Sequence, residues 1–228
     1  MGLPPGLDRD AGDPVARTRR RLRLAVAPGR PEGDRVSFSK LTLIRHALTA
    51  ATRRHAFPRD EPLDEAGEAQ AAALRGKLEA DHAVTAPARR CRRTAELAGF
   101  AAAPDPRWSE LDFGDWSGAT LKEIGERDPD GLTTWLADPE SAPPGGESLG
   151  DLNKRVREAM AELDVPGGDT VVFTSGGPIK AALVAALDAP ETAFWRLDVA
   201  PCSVTVLYGR DGTWTVRRVN ADPEGSLR

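Results

Sequence analysis

Short aliphatic runs alternate along the chain with longer stretches of mixed apolar and polar character. The runs at 41–44, 83–85 and 170–173 are dominated by aliphatic or β-branched residues, which is typical of buried strands. The longer stretches predict helices over 63–80, 89–98, 119–126, 129–137, 150–163 and 178–187. Two further runs, 203–208 and 213–219, flank a Gly-containing turn and predict a terminal hairpin. This alternation predicts a layered α/β fold with a mainly parallel sheet.

Composition narrows the class of protein. A chain of 228 residues fits one domain with an extension, and 40% hydrophobic residues suffice for a core. The formal charge of −4 argues against a protein that binds nucleic acid along its whole chain. No stretch approaches the roughly 18–20 apolar residues of a membrane span, which argues against a membrane protein. Two cysteines imply no disulfide framework. Because the start lacks a secretory pattern, we expect a soluble cytoplasmic protein.

Residues 1–39 differ from the rest of the chain. They hold eight Arg and five acidic residues, a net charge of +3, and are punctuated by Pro and Gly. We expect a flexible Arg/Pro/Gly-rich extension. An arm that contacts nucleic acid or an acidic membrane is the alternative. The folded domain is expected to span 40–228.

Candidate chemistry begins at the end of the first predicted strand, where Arg45 and His46 follow an aliphatic run. An unpaired charge is costly inside a sheet, and a bound phosphate would provide a partner. The guanidinium fork matches phosphate oxygens, and an unprotonated imidazole nitrogen can attack phosphorus. The alternative is structural: Arg45 paired with a carboxylate, and His46 held by hydrogen bonds. Thr49, nearby, either contacts a phosphoryl oxygen or caps the next turn.

A second candidate lies at the end of the 170–173 strand, where Ser175, Gly176 and Gly177 lead into a helix. Such a turn presents backbone N–H groups to an anion, although an ordinary tight turn has the same sequence. Lys180 follows the turn. A solvated helix lysine is the commoner case, and a position at the mouth of the site is the alternative.

Two more segments carry suggestive side chains. Four Arg residues open the 89–98 helix, where cations oppose the helix dipole unless an anion is near, so we expect one of them to point into the site. The segment 108–118 places carboxylates among aromatic residues and glycines. A desolvated carboxyl group there suits a general acid, and a surface acid beside a packing Trp is the alternative.

Together these segments resemble the histidine phosphatase superfamily, also called phosphoglycerate mutase-like. The matching segments are Arg45-His46-Ala47-Leu48-Thr49, 62–71, 85–95, 110–118 and 145–148. Ala47 stands where the family usually has Gly. The resemblance covers about 40–219 and points to the small phosphatase branch. It implies a three-layer sandwich whose mainly parallel central sheet is flanked by helices.

The resemblance also implies a mechanism without metal or cofactor. His46 would form a phosphohistidine, Arg45 and Arg90 would hold the phosphoryl oxygens, and Glu110 would donate a proton and then activate water. Ser175, Gly176 and Thr49 would add phosphate contacts. The partner would be a small phosphorylated metabolite. A homodimer is left open.

The sequence departs from the family pattern at Ser175, where a second histidine is usual. His55, in the loop after the first strand, could partly substitute, whereas His82 lies at the wrong end of its strand. Two alternatives therefore stay open. One is an atypical or inactive member that binds a phosphorylated or other anionic ligand. The other is a repurposed enzyme in which Ser175 is the nucleophile and His46 its base.

Overall fold

The structure is a computed structural model, and it describes residues 38–163 and 168–223. The predicted extension over 1–39 lies outside these ranges except for its last two residues. The strands are β1 (Ser39–Arg45), β2 (His82–Thr85), β3 (Ala103–Pro104), β4 (Asp169–Thr174), β5 (Val204–Arg210) and β6 (Thr213–Ala221). The helices are α1 (Ala50–Arg54), α2 (Glu65–Ala72), α3 (Arg89–Ala98), α4 (Leu121–Arg127), α5 (Pro129–Ala137), α6 (Leu149–Leu163) and α7 (Gly176–Ala186).

The six strands form one sheet in the order β3-β2-β4-β1-β5-β6. Strands β3, β2, β4 and β1 run parallel, and β5 and β6 add an antiparallel edge. The mainly parallel sheet and the terminal hairpin are therefore confirmed. Because β1 and β4 are adjacent and parallel, their carboxyl ends lie side by side, with Arg45 paired in register with Thr174.

Successive residues of the central strands enter two different cores. Leu43 and Val172 pack in one cluster with residues of α6 and α7, whereas Ile44 and Phe173 pack in the other with residues of α2 and α3. This period of two places helices on both faces of the sheet, as the three-layer prediction requires. These strand side chains are fully buried, and each contributes about 1.5–3 kcal/mol of hydrophobic stabilisation.

Two local predictions need correction. The helix expected over 63–80 ends at Ala72, because turns follow and Gly76 adopts a left-handed φ of 74°. A short helix that was not predicted, α1, follows β1 and is capped by Thr49. No helix within 38–163 or 168–223 is long and apolar enough to cross a membrane.

Candidate active site

The site forms where the carboxyl ends of β1 and β4 meet. The backbone N–H of His46 donates to the Thr174 carbonyl at 2.7 Å, which extends the parallel pairing beyond β1. After β4 the chain continues directly into α7: Ser175 is the N-cap of that helix and Gly176 is its first residue. The Cβ that Gly176 lacks would lie 3.6 Å from Arg45 Nε, so the guanidinium lies against the start of this helix. Ligands of open α/β sheets commonly bind at this edge.

His46 is buried, with 4% of its surface exposed. Its Nδ1 lies 2.8 Å from the Ala47 carbonyl oxygen. A carbonyl oxygen can only accept, so Nδ1 carries the proton and Nε2 keeps its lone pair. Burial lowers the pKa of His46 well below its usual range, and the positive charges of Arg90 and Arg45 lower it further. The imidazole is therefore neutral at physiological pH and has the tautomer that a nucleophilic Nε2 requires.

Arg45 extends from the end of β1 toward three other segments. Its Nη1 donates to the Val199 carbonyl. Burial lowers its pKa, whereas the charges of Glu110 and Asp198 raise it. Its Nε is buried and has no hydrogen-bond partner within the described ranges. A buried donor without an acceptor costs about 1–3 kcal/mol, so this guanidinium is poised to gain from an anionic ligand.

Arg90 enters the site from the first turn of α3 and is 3% exposed, whereas Arg89, Arg92 and Arg93 are exposed. One arginine of this cluster is thus buried, as expected. Arg90 Nη1 donates to the Arg59 carbonyl at 2.5 Å, and Nη2 donates to Ser175 Oγ at 3.4 Å. Its Nε is also buried without a partner in the described part of the chain.

Glu110 faces the start of α7. Its Oε1 accepts from the Leu111 N–H at 2.8 Å, and its Oε2 accepts from the Gly177 N–H at 3.2 Å. These bonds fix the carboxyl group beside the helix N-terminus. The Gly177 position leaves no space for a side chain, because a Cβ there would collide with Glu110 Oε1.

Arg155 of α6 holds the segment that carries Glu110. Its guanidinium donates to the carbonyls of Arg107, Ser109 and Glu110 at 2.7, 2.8 and 3.1 Å. It also forms an ion pair with Glu147, with Nε and Oε1 2.6 Å apart. Sequence reasoning missed Arg155, because its partners are backbone carbonyls some 45 positions earlier in the chain.

A cavity of about 270 Å³ opens over Arg45 and Glu110. Its polar lining comes from Arg45, His55, Glu110, Gly176, Gly177, Lys180 and Asp198, and its apolar lining from Phe57, Leu111, Phe113, Trp135, Phe194 and Trp195. Phe57 stacks on Phe113 at a centroid distance of 4.2 Å. His46, Arg90 and Ser175 are buried and are not among the lining residues. A larger groove of about 420 Å³ beside Cys202 includes none of these site residues.

The remaining predicted site residues occupy varied positions. Thr49 caps α1: its hydroxyl accepts from the Thr52 N–H and donates to Glu61 Oε1, each at 3.2 Å. Its contact with phosphate stays a prediction. His55 is exposed and lines the cavity, whereas His82 begins β2 at the other end of the sheet. Ser175 is fully buried and forms no hydrogen bond with His46, so the structure gives the hydrolase alternative no base.

Lys180 and Asp198 also line the cavity. For Lys180 the structure favours the alternative position at the mouth of the site over a solvated helix lysine, because the residue is half-buried. Its position four residues after Gly176 was an available signal, because that spacing repeats a helix face. Asp198 and its aromatic neighbours gave no such signal. Phe194 and Trp195 lie in a short 3₁₀ helix over Glu191–Arg196, Asp198 follows it, and only the tertiary fold places this segment here.

Within the described ranges, no three His, Cys, Asp or Glu side chains are grouped as metal ligands. The predicted independence from metal stays a prediction.

Comparison with known proteins is consistent with this geometry. The family described as histidine phosphatase superfamily (branch 1) matches residues 41–222. The bifunctional protein Rv2228c of Mycobacterium tuberculosis is 36% identical over 202 residues, covering 82% of this chain. Phosphoserine phosphatase 1 of Hydrogenobacter thermophilus is 28% identical over 193 residues, which is 79% of this chain and 92% of that protein.

Among solved structures, mycobacterial glucosyl-3-phosphoglycerate phosphatase superposes with a TM-score of 0.70 at 30% identity, covering 80% of this chain and 99% of that one. The match to Rv2228c covers only 55% of that protein, so the chain corresponds to about half of that relative.

Proposed function

Because the chain belongs to the histidine phosphatase superfamily, we propose that it hydrolyses phosphate monoesters of small metabolites through a phosphohistidine at His46. The observation that carries the proposal is the state of that imidazole. It is neutral, its Nδ1 proton is held by the Ala47 carbonyl, and burial together with the guanidiniums of Arg90 and Arg45 lowers its pKa. Such a ring is a ready nucleophile beside a site built for an oxyanion.

The first step transfers the phosphoryl group to the protein. His46 Nε2 attacks phosphorus, and the bond from phosphorus to the alcohol oxygen breaks. Glu110, protonated at this stage, donates its proton to that oxygen, so the product leaves as a neutral alcohol. The Gly177 and Leu111 N–H groups keep the carboxyl group in place at the start of α7.

The second step releases phosphate. The Glu110 carboxylate accepts a proton from water, the water oxygen attacks phosphorus, and the bond from phosphorus to Nε2 breaks. Each residue returns to its starting state, so the cycle balances.

Arg45 and Arg90 stabilise the charge that develops on the phosphoryl oxygens in both steps. Their two buried Nε atoms, which have no acceptor in the described ranges, would each gain one from a bound phosphoryl group. Ser175 and Gly176 adjoin the same space.

The names of two relatives support the substrate class. Phosphoserine phosphatase 1 and glucosyl-3-phosphoglycerate phosphatase are named for small phosphorylated metabolites. A cavity of about 270 Å³ suits a substrate of that size. We propose a small phosphomonoester as substrate and, in this scheme, no cofactor. A cytoplasmic location and a homodimer stay predictions.

The test is a panel of phosphate monoesters assayed with the wild-type protein and with His46→Ala. We expect His46→Ala to abolish turnover, and an acid-labile phosphoryl label to appear on the wild type alone. His82→Ala, at the other end of the sheet, is the matched control and should keep wild-type rates. Equal rates for wild type and His46→Ala would remove the phosphohistidine mechanism.

An inactive protein that binds an anionic ligand is the second candidate, and Ser175 favours it. Its hydroxyl replaces a charge-assisted donor and meets Arg90 only at 3.4 Å. Loss of such a donor costs about 2–3 kcal/mol, which corresponds to tens- to hundredsfold in rate. The same panel run on Ser175→His separates the two candidates: the phosphatase should retain or gain turnover. Phosphate binding without any turnover in either protein would favour the second candidate.

A further inference from the structure

Lys180 is a charged group in the cavity that the proposed mechanism leaves unused. It lies in the second turn of α7, four residues after Gly176, and therefore on the same face of the helix. Long side chains in helices lean toward the helix N-terminus. The stem of Lys180 is thus directed toward the end of α7 where Gly176, Gly177 and Glu110 meet, and all four residues line one cavity.

The ammonium group of Lys180 interacts with an aromatic ring rather than with a nearby carboxylate. Its Nζ lies over the Phe194 ring, 5.2 Å from the centroid, and forms no ion pair within 4.0 Å among the residues that the structure describes. Burial lowers its pKa, whereas Glu110 and Asp198 raise it from a greater distance, and Arg45 lowers it. A half-buried cation held mainly by an aromatic ring can gain further from an anionic ligand.

Gly176 leaves space for such a ligand beside the Arg45 guanidinium. A Cβ on Gly176 would make only an ordinary contact with Arg45 Nε at 3.6 Å, whereas the corresponding space at Gly177 is occupied by Glu110 Oε1. Phe57 and Phe113 line the apolar side and carry no hydrogen-bond donor on their side chains. Arg45 and Lys180, which both line the cavity, each interact electrostatically with Glu110, so they lie near that carboxylate.

We propose that Lys180 contacts the substrate as a catalytic residue, donating a hydrogen bond to an oxygen of the phosphoryl group while that group is transferred. The inference rests on the proposed function and adds a third cation to Arg45 and Arg90. The flexible four-carbon stem gives the ammonium the reach to follow the phosphoryl group as it moves from the alcohol to the imidazole. No covalent bond to Lys180 forms in either step.

The test compares Lys180→Met, which keeps the apolar stem and removes the charge, with Lys180→Arg, which restores a cation. Lys154→Met, on the exposed face of α6, is the matched control. Two substrates are needed: one phosphomonoester of an uncharged alcohol, and one whose alcohol carries a carboxylate. We expect Lys180→Met to lower kcat/KM about 10- to 100-fold on both substrates, mainly through kcat, because charge-assisted hydrogen bonds are worth that much.

Several outcomes would overturn the inference. One is a loss confined to the carboxylate-bearing substrate, because Lys180 would then recognise the alcohol rather than the phosphoryl group. Others are a change in KM alone, or wild-type rates in Lys180→Met. Partial recovery in Lys180→Arg supports a role of the charge, and failure of that variant to recover any activity while folded counts against it.

A binding measurement keeps this inference separate from the proposed function. Orthovanadate binding, followed by calorimetry on the full chain, should be about tenfold or more weaker in Lys180→Met and unchanged in Lys154→Met. If the wild type turns over no phosphomonoester, the proposed function fails while vanadate binding still tests the Lys180 contact. If the wild type is active, His46→Ala is dead and Lys180→Met behaves as wild type in both assays, then the Lys180 inference alone fails.

Discussion

At the scale of single residues, the steric fit between Gly177 and the Glu110 carboxyl group is the tightest in the site. An added Cβ at Gly177 would collide with Glu110 Oε1, which is the far end of a flexible side chain held by two backbone N–H groups. We therefore expect Gly177→Ala to displace the carboxyl group at little cost in stability. Misplacement of a catalytic group by about 1 Å costs on the order of 10²-fold in rate, so kcat/KM should fall by about that factor. Steady-state kinetics together with a melting curve check both parts.

Gly176→Ala is the natural comparison for that variant. Its Cβ would meet Arg45 Nε at 3.6 Å, an ordinary contact, and both substitutions change the same helix N-terminus. The loss should therefore be clearly smaller at Gly176 than at Gly177. Equal losses would show that the effect comes from the start of α7 and not from Glu110.

At the scale of elements, the placement of Glu110 depends on how α6 is joined to the segment before it. Arg155 contributes three hydrogen bonds to backbone carbonyls and the ion pair with Glu147, and both charged side chains are mostly buried. Removing one partner of such a pair leaves the other charge uncompensated, at a cost of roughly 3 kcal/mol. We expect Arg155→Ala to lower the free energy of unfolding by about this amount and to lower kcat as well, as measured by urea unfolding and kinetics.

Two further variants sharpen that experiment. Arg155→Lys keeps the charge but loses the planar fork, so we expect it to resemble Arg155→Ala more than the wild type. Arg157→Ala, on the exposed side of the same helix, should change neither stability nor rate. A wild-type kcat in a folded Arg155→Ala protein would contradict the positioning role.

The elements also show how far the sequence alone could lead. The bounds predicted for α3 and α5 are those observed, because Gly99 and Pro129 mark a helix end and a helix start. The prediction for α2 was too long, because a weak apolar pattern continued past the point where the chain turns. The Phe194 and Trp195 wall was not predicted, since it depends on where the 3₁₀ helix folds back.

In the candidate site, too, some positions could be predicted from the sequence and others depend on the tertiary fold. Strand ends are readable from a pattern, so the meeting of Arg45 and His46 with the Ser175 turn could be anticipated from adjacent parallel strands. For Lys180 the sequence left two positions open, bulk solvent and the mouth of the site. Helical spacing places a polar side chain on a face, but neighbouring segments determine whether that face meets solvent or a cavity.

At the scale of the whole molecule, the site ties folding stability to pH. The pKa of His46 is lowered in the folded protein by burial and by the charges of Arg90 and Arg45. An unfolded chain has none of that environment, so its imidazole titrates near the ordinary value of about 6.5. As pH falls through that value, the imidazole binds a proton in the unfolded state but not in the folded state. Stability is therefore complete above about pH 6.5 and declines below it, until the folded imidazole protonates too.

The size of this decline can be predicted. The slope approaches about 1.4 kcal/mol per pH unit, so between about pH 7 and about pH 5.5 the imidazole should remove about 1 kcal/mol from the free energy of unfolding. The side chain at position 46 cannot titrate in His46→Gln. The free energy of unfolding of this variant should therefore fall by about 1 kcal/mol less than that of the wild type over the same interval, whatever the absolute stability of the variant. His55 and His82 are present in both proteins, so their contributions cancel in the comparison. Urea unfolding of both proteins at the two pH values measures the difference. Identical declines would mean that His46 has an ordinary pKa in the folded protein, and the ring would then be partly protonated near neutral pH rather than held as a free nucleophile.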